Sequence, residues 1–115
     1  MDWRIVFYPD DDGSEPVKDF ISGQSEGAIA EIMHVVQLLK QFNIMLGRPY
    51  VAKVGKSGIR ELRIKHSSNI YRIFFFAHTG RIFVLLHAIL KKGDKTPEGD
   101  KKIAIQRMSN YKLRS

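Results

Sequence analysis

Apolar and polar positions change their period along the chain, and the changes mark out the elements. Residues 3–8 read WRIVFY, β-branched and aromatic, and are closed by Pro9 and the run Asp10-Asp11-Asp12-Gly13. That pattern predicts a short first strand followed by a turn. Ser14 is placed to cap a helix with Pro16 in its first turn; Val17, Phe20 and Ile21 give it an apolar side and Ser22-Gly23 ends it. From Ser25 a longer helix is predicted. Ile29, Ile32, Met33, Val36, Leu39 and Phe42 recur at three- and four-residue steps, Glu31, Gln37 and Lys40 fall between them, and Gly47 and Pro49 close the segment.

Beyond residue 50 the period drops to two. Residues 50–54 form a short strand before the turn Gly55-Lys56-Ser57-Gly58. In residues 59–66, Leu62 and Ile64 face one way and Glu61, Arg63 and Lys65 the other. Ser67-Ser68-Asn69 is the next turn, and residues 70–77 and 81–90 pair through the loop His78-Thr79-Gly80. The stretch IFVLLHAIL is apolar on both faces, as an interior strand requires. Thr96-Pro97 opens a last helix to about residue 111, with Ile103, Ala104, Met108 and Tyr111 as its apolar side. The order β-α-α-β-β-β-β-α predicts an α+β fold, a mostly antiparallel sheet backed by the helical pair. There are no internal repeats or linkers, so residues 1–115 read as a single domain.

Composition narrows the chemistry. A hydrophobic content of 43% in 115 residues supports one modest core. The absence of cysteine excludes disulfides, thiolate metal sites and cysteine nucleophiles, and suits the cytoplasm. The start is acidic, without the basic region of a secretion signal, and the longest apolar run, residues 82–90, is too short to span a bilayer. The formal charge of +7 conceals an asymmetry: residues 1–47 sum to −5 and residues 48–115 to +12. Such a basic half is either an ordinary solvated surface or a face for a polyanion.

The placement of charge favours particular residues. No His and acid pair has metal-ligand spacing, and GKSG at 55–58 is too short for a phosphate loop and runs into a strand. Glu61 is the only acid between Arg48 and Asp94. It shares a strand face with Arg63 and Lys65. Arg72 lies within IYRIFFF, where a buried guanidinium needs partners. His87 interrupts an apolar strand, and Lys91, Lys92 and Lys95 follow as that strand runs out. Read conservatively, Glu61 and Arg63 form a surface ion pair, Lys65 protects a strand and His87 is a satisfied core histidine. Read functionally, arginines give a phosphodiester bidentate contacts and lysines give point charges. Such a face suits metal-free RNA cleavage, in which a 2′-hydroxyl attacks its own 3′ phosphate while cations hold the phosphoryl oxygens. DNA, lacking the 2′-hydroxyl, would resist.

Three segments in order, GIRELRI, IYRIFFF and LLHAILKKGDKTP, followed by a basic last helix, resemble the HigB/RelE toxin superfamily and its phage-derived HigB-like branch. The resemblance extends over almost the whole chain. It implies a RelE-like, compact microbial-RNase-type fold and the toxin of a type II toxin–antitoxin pair, a ribosome-dependent mRNA endoribonuclease without metal or cofactor. The implied partners are mRNA on the 70S ribosome and a helix-turn-helix antitoxin of the HigA kind, with no membrane. By position, Arg63 corresponds to a strand cation, Arg72 to a phosphate-holding arginine, and Lys92 to a basic residue after the last strand, with Lys91 beside it as a further catalytic candidate. Lys53, Lys56, Arg60, Lys65 and Lys95 are the implied RNA or ribosome contacts. His87 and Glu61 are candidates for acid–base work, although Glu61 stands where related toxins can carry lysine, and Tyr111 reads as helix packing. Two alternatives stay open: a non-catalytic RNA- or antitoxin-binding prophage relic, and a ribosome-independent RNase. The acidic stretch Asp10-Asp11-Asp12, Glu15 and Asp19 would lie away from an RNA face and offer an antitoxin a docking place.

Overall fold

A computed structural model describes residues 2–91 and 97–115, with Lys91 described by its backbone alone. The elements follow in the order β1 (Arg4–Phe7), α1 (Pro16–Ser22), α2 (Glu26–Phe42), a 3₁₀ turn (Asn43–Met45), β2 (Val51–Lys53), β3 (Arg60–His66), β4 (Asn69–His78), β5 (Ile82–Lys91) and α3 (Glu98–Arg114). The strands form one sheet, β1-β5-β4-β3-β2, antiparallel except where β1 runs parallel to β5. This is the expected α+β fold. β5 is an interior strand, and β4, with Tyr71–Phe76 wholly buried, is the middle one.

Period-two alternation divides the sheet into two cores. Leu62, Ile64, Tyr71, Ile73, Phe75, Phe83 and Leu85 face α1 and α2. Val54, Ile59, Phe74, Phe76, Val84 and Leu86 pack with Ala104 and Met108 of α3. The helical pair therefore covers one face and α3 the other.

Local chemistry shifts some boundaries. Glu15, not Ser14, occupies the N-cap of α1, with Pro16 as its first residue. The Ser14 hydroxyl instead donates to Asp12 Oδ1 at 2.6 Å. Ser25, where the longer helix is predicted to start, is the N-cap of α2, its hydroxyl accepting from the Ala28 amide at 3.2 Å. The buried stripe of α2 is Ala28, Ile32, Val35, Val36 and Leu39. Met33 and Phe42 are 41% and 47% exposed: the buried stripe keeps Ile32, Val36 and Leu39 but turns toward Ala28 and Val35, away from Met33, and Phe42 is the last residue of the helix. Helix α2 ends at Phe42, short of Gly47, where Asn43 takes a positive φ. Pro97 stands at the N-cap of α3, not inside its first turn; Thr96 lies outside the described residues.

Candidate nucleic-acid interface

The β3–β4 register sets Arg63 directly opposite Arg72. Two cations in that position repel each other unless something lies between them. Glu61, two residues before Arg63 on the same face, supplies the counter-charge. Its Oε2 lies 3.3 Å from Arg63 Nη2 and its Oε1 lies 3.3 Å from Arg72 Nε. Glu61 and Arg72 are each 2% exposed, whereas Arg63 is 39% exposed. The trio is thus a buried ion pair carrying a half-exposed arginine. Arg63 Nε is itself buried and has no hydrogen-bond acceptor among the described residues.

This geometry assigns the sequence candidates different tasks. Arg72 is enclosed, with its Nε against Glu61. Each Glu61 oxygen lies 3.3 Å from a guanidinium nitrogen, and the carboxylate is enclosed at 2% exposure. Lys65 is exposed on the same face. It pairs with Ile70, which pairs in turn with Lys91, so the Lys65 and Lys91 positions flank Ile70 in one cross-strand row beside the Arg63–Arg72 row. Lys92 and Lys95 lie outside the described residues.

His87 owes its setting to a β-bulge. Pairing passes from Phe74–His87 to Phe75–Leu85, leaving Leu86 as the extra residue. The slip turns both Leu86 and His87 toward α3. The imidazole lies parallel to the Phe74 ring at 5.9 Å between centroids. Its Nε2 is 2.7 Å from Asp100 Oδ1, and its Nδ1 is 3.3 Å from Arg107 Nη1, which also donates to the Leu86 carbonyl at 2.8 Å. A guanidinium only donates, so Nδ1 accepts and Nε2 carries the hydrogen given to Asp100. Both ring nitrogens are occupied, and in this arrangement His87 pins α3 to the sheet. Asp100 and Arg107 were not among the sequence candidates. The signal for them is the stripe Asp100, Ala104, Arg107, which shares one helix face with the buried Met108.

Lys53 and Arg60 are not brought to this face. They pair across β2 and β3 in phase with Val51 and Leu62, which point to the α1–α2 side. With Lys56 of the intervening turn they line a separate shallow groove. Asp10 and Asp11 border a cavity of about 570 Å³ against α3, past β1 and so at the opposite edge of the sheet from β2 and β3. The Ser14 hydroxyl and amide hold the Asp12 carboxyl below its ordinary range. Among the described residues no group of His, Asp and Glu could hold a metal ion, and no helix is long and apolar enough to cross a membrane.

Comparison with known proteins adds one finding to this geometry. No curated protein matches the sequence. The model of a phage-derived protein family, described as Gp49-like (DUF891), matches residues 19–109, from within α1 into the last turns of α3. The match takes in the Glu61–Arg63–Arg72 cluster, the bulge at His87 and the Asp100–Arg107 face of α3. Since it covers most of the chain, the protein belongs to the phage-derived Gp49-like family, a toxin-like family related to the RelE/HigB toxins.

Proposed function

We propose that the chain is the toxin of a type II toxin–antitoxin pair and cleaves mRNA on the ribosome without a metal. The observation that carries this reading is the Glu61 clamp. One carboxylate lies between two opposed arginines, offsetting one of their two positive charges, and holds Arg63, half-exposed, over a basic strand face. In a low-dielectric wall such a preorganised cation stabilises charge that develops on a phosphoryl group.

In this mechanism Arg63 holds the non-bridging oxygens of the scissile phosphate, and Lys65 holds a neighbouring phosphate. Arg72 is a positioning residue that fixes Glu61, and Glu61 fixes Arg63. The 2′-oxygen loses its proton to a base and bonds to phosphorus. The bond to the 5′-oxygen breaks, its electron pair leaves with that oxygen, and an acid protonates it. The products are a 2′,3′-cyclic phosphate and a 5′-hydroxyl. With Glu61 and His87 engaged within the fold, the base and acid roles fall to Lys91 and Lys92, and Lys95 joins the RNA contact. Crowding cations favours the neutral amine that a lysine base requires. The inhibiting partner is a helix-turn-helix antitoxin of the HigA kind.

Growth arrest on inducing the gene alone is the first test. Arg63→Ala should abolish arrest and Arg63→Lys should keep part of it, with both variants folded by circular dichroism. Unimpeded growth with the wild type, or full arrest with Arg63→Ala, contradicts the reading. The engagement of Glu61 and of both His87 nitrogens favours one alternative, an RNA-binding module that does not cleave. That alternative predicts RNA retention with no new 5′ ends.

A further inference from the structure

A second surface lies on the opposite side of the sheet. Past the end of α2, the 3₁₀ turn leaves Ile44 and Met45 70% and 82% exposed, next to the half-exposed Phe42. Beneath this turn is a cavity of about 180 Å³ walled by Leu39, Leu46, Val51, Phe75, Ala77 and Phe83. Its mouth is bordered by Gly58 and Arg60, and the same two residues border the basic groove of Lys53 and Lys56. Gly58 adopts a φ of +94°, and a Cβ there would meet nothing within 4 Å, so the space beside it is open. An apolar hole and a cationic groove are therefore continuous.

We propose that this surface docks an acidic segment of a partner protein. One large apolar side chain of the segment fills the cavity, and its carboxylates lie over Lys53, Lys56 and Arg60. Size and chemistry both point this way. The volume falls below the roughly 300–1,000 Å³ of small-molecule sites and suits one side chain. The walls are aliphatic and aromatic, with Asn43 as the one neutral polar side chain at hand to read a base edge, and the exposed collar of Ile44 and Met45 disfavours a phosphate backbone. Carboxylates complement the cations of the groove, and an apolar anchor in a pocket is the usual energetic centre of an interface. Because the register places Lys53 and Arg60 on the side away from Arg63, the partner would leave the Arg63 face open. The inference stands whether or not the chain cleaves RNA.

The test uses a fluorescent amphipathic peptide with leucines on one face and glutamates on the other, and a second peptide with lysine replacing every glutamate. Anisotropy should show saturable binding of the glutamate peptide to the full chain. Methyl NMR shifts should concentrate at Leu39, Ile44 and Val51. Ile44→Glu at the exposed rim, Ala77→Phe filling the cavity and Arg60→Glu reversing the groove should each weaken binding by about tenfold or more, with unchanged thermal midpoints. Absence of binding, or equal binding of the lysine peptide, overturns the proposal. So does displacement by a uridine oligonucleotide that shifts the same methyls, which would make the surface an RNA contact. Concentration-dependent self-association lost in Ile44→Glu overturns it as well, by making this face an interface between copies.

Discussion

At the residue scale, the site turns on one buried ion pair. Removing Arg72 would leave the Glu61 carboxylate enclosed without its deepest counter-charge, so Arg72→Ala should destabilise the fold by about 3–5 kcal/mol in urea titrations. Replacing both members, Glu61→Leu with Arg72→Met, should restore most of that stability, since a well-packed apolar pair substitutes for a buried ion pair. A double variant no more stable than Arg72→Ala would show that the pair is not the source of the loss. This is also why Arg63, 39% exposed, is the cleaner probe of chemistry. Period-two alternation makes the Glu61–Arg63–Lys65 face legible in the sequence, and the apolar surroundings of Arg72 announce a need for partners. The depth of Glu61 is not legible, because it depends on the cross-strand register that sets Arg63 opposite Arg72. A smaller effect concerns Asp12. Its carboxyl is held below the ordinary value of 3.8 by Ser14. The stabilisation is fully present above that value and is lost as pH falls through the lowered one. Ser14→Ala should move the Asp12 titration midpoint upward by NMR, and an unmoved midpoint would refute the assignment.

At the element scale, α3 is held by polar ties more than by its apolar side. Its buried residues are Ala104 and Met108. His87 and Asp100 fasten its start at 2.7 Å, the Asn110 amide donates to Tyr8 Oη at 2.6 Å, and Arg114 donates to the Pro9 carbonyl at 2.6 Å. Asp100→Ala should cost about 1–3 kcal/mol and raise hydrogen exchange at the start of α3 before its end. Uniform exchange along the helix would contradict a local fastening. Tyr111 packs as the sequence implies, its ring edge-on to Phe76 and His78. In α2, Ile32, Val36 and Leu39 are legible as core positions, whereas Ala28 and Val35 are not, because each adjoins another apolar residue, Ile29 or Val36, that fits the three- and four-residue steps. The bulge at Leu86 is likewise invisible in a stretch apolar on both faces. Without it, His87 would follow plain alternation and turn away from α3.

At the scale of the molecule, the order of elements and the two-sided core follow from periodicity, and the charge asymmetry separates in space across the sheet but not at α3, where Arg107 and Arg114 of the basic half lie beside the acidic loop. The acidic loop lies past β1, and the cationic strand β3 lies three places across the sheet. Within the basic half, one chain segment supplies two surfaces. Alternation sends Arg63 and Lys65 to one side and Lys53 and Arg60 to the other, so total charge overstates what any single polyanion can touch. RNA affinity should accordingly fall with salt, with a log–log slope near −0.7 per phosphate neutralised on a single strand. Arg63→Ala should shallow that slope, and Arg60→Glu should leave it unchanged. A reversed ranking would place RNA on the α1–α2 side. The most direct test of the central claim is primer extension on a reporter mRNA in a reconstituted translation reaction, with and without ribosomes, for the wild type and Arg63→Ala. New 5′ ends that require ribosomes and disappear in the variant are the predicted result; cuts that persist in Arg63→Ala, or no cuts under any condition, would contradict it.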